Sequence, residues 1–118
     1  MRAKDSLGVY GENVAVAHLL AAGLSIVDRN WRCDIGEIDI VAREGDTLVF
    51  CEVKTRSSTR FGDPLEGVTP RKAARLRRLA ARWLVDQSVR PAEVRIDLVG
   101  VLRSDRGAAY VEHVRGVS

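Results

Sequence analysis

The residues from Gly36 to Arg56, GEIDIVAREGDTLVFCEVKTR, determine the fold that we predict for the whole chain. They have the alternating pattern of two strands, and Gly45-Asp46 between them favours a tight turn. With these two residues as the loop, Glu44 pairs with Thr47 and every other cross-strand pair is fixed by counting outward. The stretch therefore predicts an antiparallel hairpin of known register.

The predicted register brings acidic side chains together at the open end of the hairpin. It places Asp39 opposite Glu52 and, one step further out, Glu37 opposite Lys54. Since side chains alternate across a strand, one face is wholly apolar: Ile38, Ile40, Ala42, Val49, Cys51 and Val53. The other face is apolar only in its middle: Glu37, Asp39, Val41, Arg43, Leu48, Phe50, Glu52 and Lys54. We expect the first face to be core and the charged end of the second to be a site.

Two carboxylates that face each other across a sheet repel, and burying them is costly unless a cation lies between them. Mg²⁺ (or Mn²⁺) suits this position because it takes oxygen ligands, usually one or two carboxylates with water and phosphate. Asp39 and Glu52 would supply the carboxylates and the Val53 carbonyl a third oxygen. Lys54 points the same way and could orient a metal-bound water. The alternative is a charged hairpin in which Glu52 and Lys54 are merely solvated or paired.

The pattern D-x(12)-E-x-K formed by Asp39, Glu52 and Lys54 resembles the PD-(D/E)xK nuclease superfamily. More narrowly, the whole stretch is similar to the YraN-type family of uncharacterised bacterial proteins, which are predicted endonucleases. In that superfamily a proline often precedes the first aspartate, whereas Ile38 stands here. The resemblance implies a restriction-endonuclease-like α/β fold with an αβββαβ core, a mixed central sheet and two main flanking helices.

The resemblance also draws attention to Glu12, which follows Gly8 and Gly11 in a G-x-x-G-E run. Related Holliday-junction resolvases place a helix glutamate at the metal site, which implies that Glu12 completes the catalytic set. The alternative is an acidic residue in the first helical turn, where the helix dipole favours it. The sequence leaves both interpretations open.

The 118 residues suit a single domain, and 46% hydrophobic with 30% charged residues describes a folded chain. Cys33 and Cys51 form no C-x-x-C pair and only two histidines are present, so no zinc site is predicted. We expect both cysteines to be free thiols in a reducing cytoplasm. The apolar run from Val14 to Val27 is too short to span a bilayer, so no membrane partner is expected.

The remaining elements follow from helical periodicity and turn residues. We predict a helix from Val9 to Ala22, stopped by Gly23, with Val16, Leu19 and Leu20 on its buried face. Further predicted elements are a strand at Leu24–Trp31, a helix from Pro70 to Asp86 with Thr69 as its N-cap, and strands at Glu93–Leu102 and Ala109–Val114. This order matches the αβββαβ core that the resemblance implies.

Basic residues follow the hairpin and suggest contacts to a polyanion. Arg56 and, in the irregular stretch that follows it, Arg60 could grip a backbone phosphate, and Phe61 could stack on an unpaired base, although Phe61 suits a loop anchor better. Arg71 and Lys72 lie in the first turn of the second helix, where backbone N–H groups already favour anions. A solvated helix face would show the same charges.

We therefore interpret the chain as a metal-dependent nuclease, with DNA favoured over RNA by resemblance alone. Because so small a domain covers little nucleic acid, either a homodimer or a branched or otherwise structured substrate is expected. The rival interpretation is a non-catalytic module that binds nucleic acid or protein. Outside the site we expect a structural Arg95–Asp97 pair, His18 in the core and His113 at the surface of an edge strand.

Overall fold

The computed structural model describes residues 5–57 and 69–117, which form two helices and five strands. In chain order these are α1 (Ser6–Ala21), β1 (Ser25–Arg32), β2 (Glu37–Glu44), β3 (Thr47–Arg56), α2 (Pro70–Gln87), β4 (Glu93–Leu102) and β5 (Tyr110–Val114). The predicted αβββαβ order is confirmed, and β5 adds an edge strand to it. None of the helices in the described part of the chain is long and apolar enough to cross a membrane.

The five strands form one mixed sheet in the order β1-β2-β3-β4-β5. Neighbouring strands are antiparallel except β3 and β4, which run parallel. A parallel pair needs a crossover connection, and α2 lies in the chain between these two strands. The central strand β3 is thus paired along both edges.

The predicted register of the β2–β3 hairpin is confirmed from Glu44 opposite Thr47 to Ile40 opposite Cys51. Gly45 has φ +61° at the first position of the loop, a conformation that glycine adopts without steric cost. The turn therefore fixes the register by local chemistry.

Both faces of the sheet are buried, as expected for a central sheet flanked by two helices. One apolar cluster lies on the α1 side: Ala15, Leu19, Leu24, Ile40, Ala42, Val49, Cys51, Val99 and Val101. The other lies on the α2 side: Ile38, Val41, Leu48, Phe50, Leu76, Leu79, Ala80, Trp83, Ile96 and Leu98. The hairpin strands are covered by a helix on each side, which the alternation within one hairpin cannot reveal.

Two predictions about individual residues were wrong. Leu20 was assigned to the buried face of α1 but is 53% exposed, because Ala15 and Leu19 supply the residues of this helix that are fully buried against the sheet. Ile38 was assigned to the face of Ile40, yet it packs in the α2-side cluster while Ile40 packs on the α1 side. Strand β2 therefore changes face between these two residues, at Asp39.

The expectation of a surface His113 was also wrong. Its side chain is 8% exposed, its Nε2 lies 2.8 Å from Asp97 Oδ2, and its Nδ1 lies 3.2 Å from His18 Nε2. Burial, with the nearby charges of His113 and Arg115, holds the pKa of His18 below its usual value. The predicted Arg95–Asp97 pair is confirmed at 2.9 Å. These residues tie α1 to β4 and β5.

Helix α1 approaches β3 most closely at Gly11. A Cβ built there would lie 2.7 Å from the Thr55 Cβ and closer still to its hydroxyl oxygen. Real Cβ atoms essentially never come within 3.0 Å of another heavy atom, so a side chain here must displace the helix. Gly11 thus sets the height of α1 above the sheet, and with it the height of Glu12.

We expect Gly11→Ala to destabilise the protein by about 1–3 kcal/mol in urea unfolding, because overpacking outweighs the gain in helix propensity. Propensity alone would stabilise the alanine variant by about 1 kcal/mol. Thr55→Gly removes the side chain that the new methyl group meets, so a double-mutant cycle should show that it relieves much of the loss. A more stable Gly11→Ala protein would contradict this packing.

Candidate active site

The site is located where the β2–β3 ladder ends. The last ladder pair is Ile40 with Cys51, one step before the predicted pair of Asp39 and Glu52. At Asp39 a side chain connects β2 to β3 in place of a backbone pair: the Asp39 Oδ2 accepts a hydrogen bond of 2.8 Å from the Val53 N–H. Asp39 is thereby held against the backbone of β3 at the residue that follows Glu52.

The backbone of β1 is unusual at the same point, although the register of the β1–β2 ladder shifts elsewhere, between Ile26 and Asp28. Arg29 pairs with Ile40 and Trp31 with Ile38, which leaves Asn30 at the position facing Asp39. Asn30 has φ +55°, in the left-handed region that residues other than glycine seldom adopt. The backbone irregularities on the two sides of β2 therefore meet at Asp39, and such clusters of unusual conformation are typical of functional sites.

Glu12 is 2% exposed although it is charged. Its Oε1 accepts hydrogen bonds from Asn30 Nδ2 at 2.8 Å and from Arg29 Nε and a terminal guanidinium nitrogen at 3.2 and 3.1 Å. Since α1 begins at Ser6, with Asp5 as N-cap, Glu12 lies in the second turn. The first-turn explanation for this glutamate was therefore wrong, and the carboxylate is held by side chains of β1.

Glu52 is held less completely. Its side chain is 12% exposed, and Oε2 lies 3.7 Å from Lys54 Nζ. Among the described residues, this buried Oε2 has no hydrogen-bond partner. The other oxygen, Oε1, lies 4.0 Å from a guanidinium nitrogen of Arg75. As predicted, Lys54 and Glu52 point the same way, and the buried Oε2 keeps unused capacity to accept a hydrogen bond or act as a ligand.

Lys72 joins this cluster from the first turn of α2. The neighbouring ammonium of Lys54, partial burial and the charge of Arg75 hold the pKa of Lys72 below its usual value, against the opposing effect of Glu52. Arg71, with which Lys72 was grouped, is exposed. The predicted pair is thus divided, and Lys72 is the member beside Glu52.

Sequence reasoning missed Arg75, Arg29 and Asn30 as parts of the site. Arg75 could have been found, because residues three apart on a helix lie on one face and Lys72 was already a candidate. Arg29 and Asn30 of β1 carried no comparable signal in the sequence, since two polar residues near the end of a strand do not by themselves indicate a site. Arg60 and Phe61, also candidates, lie outside the described residues.

A cavity of about 490 Å³ opens between the start of α1 and the ends of β2 and β3. Its charged lining mixes acids and bases: Asp5, Glu12, Arg32, Glu37, Lys54 and Arg56. Arg32 and Glu37 pair across it at 3.2 Å, and Arg56 donates to the Thr55 carbonyl at 3.2 Å. Two predicted catalytic residues, Glu12 and Lys54, therefore reach one polar cavity.

The residues were tested for their fit to a divalent cation. Within residues 5–57 and 69–117, no three or more His, Cys, Asp or Glu side chains are grouped so that they could hold a metal ion. Glu12 is therefore not assembled with Asp39 and Glu52 into a three-carboxylate cage. Mg²⁺ does not need one, because it keeps several waters and takes one or two carboxylates. Asp39, Glu52 with its buried oxygen, and the Val53 carbonyl fit that requirement.

We expect Lys72 to react unusually fast with acetic anhydride at about pH 8, because a lowered pKa leaves more of the neutral amine. Lys54→Met removes the neighbouring ammonium and should slow acetylation of Lys72, read by mass spectrometry. Arg78→Met, the same loss of charge at an exposed position of α2, should leave the rate unchanged. Equal or faster acetylation in Lys54→Met would exclude the contact between the lysines.

The chain was compared with known proteins. A family model described as "Uncharacterised protein family UPF0102" matches residues 11–101. A UPF0102 protein of Beutenbergia cavernae is 64% identical over 117 residues, which is 99% of each chain. Another from Frankia alni is 60% identical over 116 residues, covering 98% of this chain and 97% of the relative. A third, from Nocardioides sp., is 57% identical over 114 residues, covering 97% and 92%.

Proposed function

We propose that this chain, which belongs to the uncharacterised protein family UPF0102, is a metal-dependent nuclease that hydrolyses phosphodiester bonds of DNA. The membership confirms the resemblance to the YraN-type family, whose relatives carry no assigned activity in their names. The observation that carries the proposal is Glu52. Its buried Oε2 lacks a hydrogen bond among the described residues and lies beside Lys54, where the ladder opens at Asp39.

Asp39, Glu52 and the Val53 carbonyl would hold Mg²⁺ or Mn²⁺. When bound, such an ion neutralises charge on a phosphate and lowers the pKa of a coordinated water. Lys54 would orient that water by a hydrogen bond and balance the charge that develops on the scissile phosphate. Asp39 is kept in place by the Val53 N–H, so its orientation does not depend on the ion.

Three cations would bind the substrate backbone beside this centre. Lys54, Lys72 and Arg75 surround the single carboxylate of Glu52, so the cluster carries an excess of positive charge. Lys72 also lies in the first turn of α2, where the positive end of the helix dipole favours a phosphate, although Thr69 already accepts a hydrogen bond from the Lys72 N–H. Arg56, on the rim of the cavity, would contact the backbone further along.

The substrate is proposed to be cytoplasmic DNA of branched or otherwise structured form. A domain of 118 residues covers little duplex, so recognition of shape or association into a homodimer would supply the missing contacts. The free thiols of Cys33 and Cys51 support a reducing compartment, and burial raises the pKa of the Cys51 thiol.

One observation favours a second function, a binding module without turnover. Glu52 already lies 3.7 Å from Lys54 and 4.0 Å from Arg75, so its charge is balanced without an ion. A module of this kind would use Lys54, Lys72 and Arg75 only to grip phosphate. The two functions differ in whether Asp39 and Glu52 bind a cation and in what Lys54 does.

For the metal, we expect Asp39→Ala/Glu52→Ala to abolish binding of Mn²⁺ in calorimetry of the metal-free protein, because the proposed carboxylate ligands are gone. The control is Asp46→Ala/Glu93→Ala, which removes the same charge from two exposed positions at the other end of the sheet. The control should bind as the parent protein does. Unchanged binding in the first double variant would remove the metal site from the proposal.

For the reaction, Lys54→Ala should cut turnover by at least about 100-fold, as for other positioned catalytic groups, while DNA binding weakens much less because Lys72 and Arg75 remain. Lys54→Arg should restore binding charge but not the rate, because the broad guanidinium cannot replace a compact ammonium. The assay uses duplex, single-stranded, flap and four-way-junction DNA with Mg²⁺ or Mn²⁺. Binding without cleavage of any substrate by the parent protein would support the binding module instead.

A further inference from the structure

Two residues other than glycine have a positive φ in the described part of the chain, Asn30 and Ser88, both at +55°. Ser88 caps the C-terminus of α2, where a left-handed residue is the usual ending. Asn30 instead lies inside β1, between the paired residues Arg29 and Trp31. The end of a helix therefore explains the left-handed backbone of Ser88, whereas no helix end or turn explains that of Asn30.

The unusual conformation of Asn30 changes the direction in which its side chain points. Consecutive side chains of a regular strand point to opposite faces. Here Arg29 and Asn30 are consecutive, yet both donate hydrogen bonds to Glu12 Oε1. Trp31, the next residue, packs against the α2-side cluster. The left-handed backbone thus turns Asn30 onto the α1 side and lets the strand continue.

Strand β2 changes face opposite this point. Ile38, the partner of Trp31, packs on the α2 side, and Ile40, the partner of Arg29, packs on the α1 side. The residue between them is Asp39, which faces Asn30 by position and bonds the Val53 N–H. The same backbone irregularity, at Asn30, therefore affects the positions of both Asp39 and Glu12.

We propose that Asn30 is a positioning residue of the site: by leaving the β conformation, it turns its amide onto Glu12 and fixes that carboxylate beside the cavity. This inference rests on the proposed function. Glu12 lines the same cavity as Val53 and Lys54 but is not grouped with Asp39 and Glu52 as a third carboxylate ligand, so we place it outside the ligands, where it would order water around the ion. Groups that hydrogen-bond a ligand directly are typically worth about 10-fold to 100-fold in metal affinity. Asn30 acts one hydrogen bond further out, so its effect should lie at the lower end of that range or below it.

The test measures Mn²⁺ affinity of the metal-free protein by calorimetry and thermal unfolding of the same samples. Asn30→Gly keeps the left-handed backbone at no steric cost but removes the amide. Asn30→Asp keeps the size of the side chain but sets a second carboxylate against Glu12. The control, Ser88→Gly, makes the same kind of change at the other left-handed residue. We expect both Asn30 variants to bind Mn²⁺ about 3-fold to 10-fold more weakly, and Ser88→Gly to bind normally.

The dependence on Glu12 is tested in a Glu12→Ala background. If Asn30 acts through Glu12, Asn30→Gly should lower Mn²⁺ affinity in the parent protein and have no further effect in that background. A merely structural role would shift the unfolding temperature equally in both backgrounds and leave the affinity unchanged.

Three outcomes would overturn the inference, and they separate it from the proposed function. Normal Mn²⁺ affinity in both Asn30 variants removes the role of Asn30 and leaves the nuclease proposal intact. An equal loss of affinity with and without Glu12 shows that Asn30 does not act through that carboxylate. Absence of Mn²⁺ binding in the parent protein removes the metal site and this role together.

Discussion

The hydrogen bond from the Val53 N–H to Asp39 is the interaction on which the site depends. It ends the β2–β3 ladder with a side chain in place of a backbone pair, and a hydrogen bond to a charged acceptor is worth about 1.5–3 kcal/mol. Beyond it, Glu37 lines the cavity beside α1, and so does Lys54, whose ammonium also lies 3.7 Å from Glu52. The bond from the Val53 N–H thus takes the place of the pair that a continuous ladder would have formed between Asp39 and Glu52.

A second buried carboxylate, Asp97, shows what a structural charge looks like in the same fold. It is fully buried, which by itself would raise its pKa, yet hydrogen bonds from Arg95, His113 and the Gly116 N–H hold that pKa below the usual value. Both of its oxygens are occupied. Glu52 differs in having a buried oxygen without such a partner among the described residues. Networks that are completely satisfied stabilise a fold, whereas an incomplete one needs another explanation.

The parts of the fold that could be predicted are those fixed by local chemistry. Gly45 fixed the hairpin register, and Thr69 with Pro70 fixed the start of α2. The errors came from assuming a regular pleat. Ile38 was placed on the wrong face because nothing in a one-dimensional pattern indicates that Asn30 leaves the β conformation. Burial of His113 was missed because it depends on residues far apart in sequence.

The charges around Glu52 connect these features to the proposed reaction. Lys54, Lys72 and Arg75 outnumber the single carboxylate they surround, and Arg75, at 4.0 Å and 45% exposed, adds little attraction. Lys54 and Lys72 repel each other because both are positively charged. The burial of Glu52 alone does not explain why a second lysine lies beside it. An anion bound beside the two lysines would relieve that repulsion. A cation bound to Glu52 would replace Lys54 there, so that Lys54 could contact the anion. For the proposed nuclease, this distribution of charge favours a cation and a phosphate bound together over either one alone.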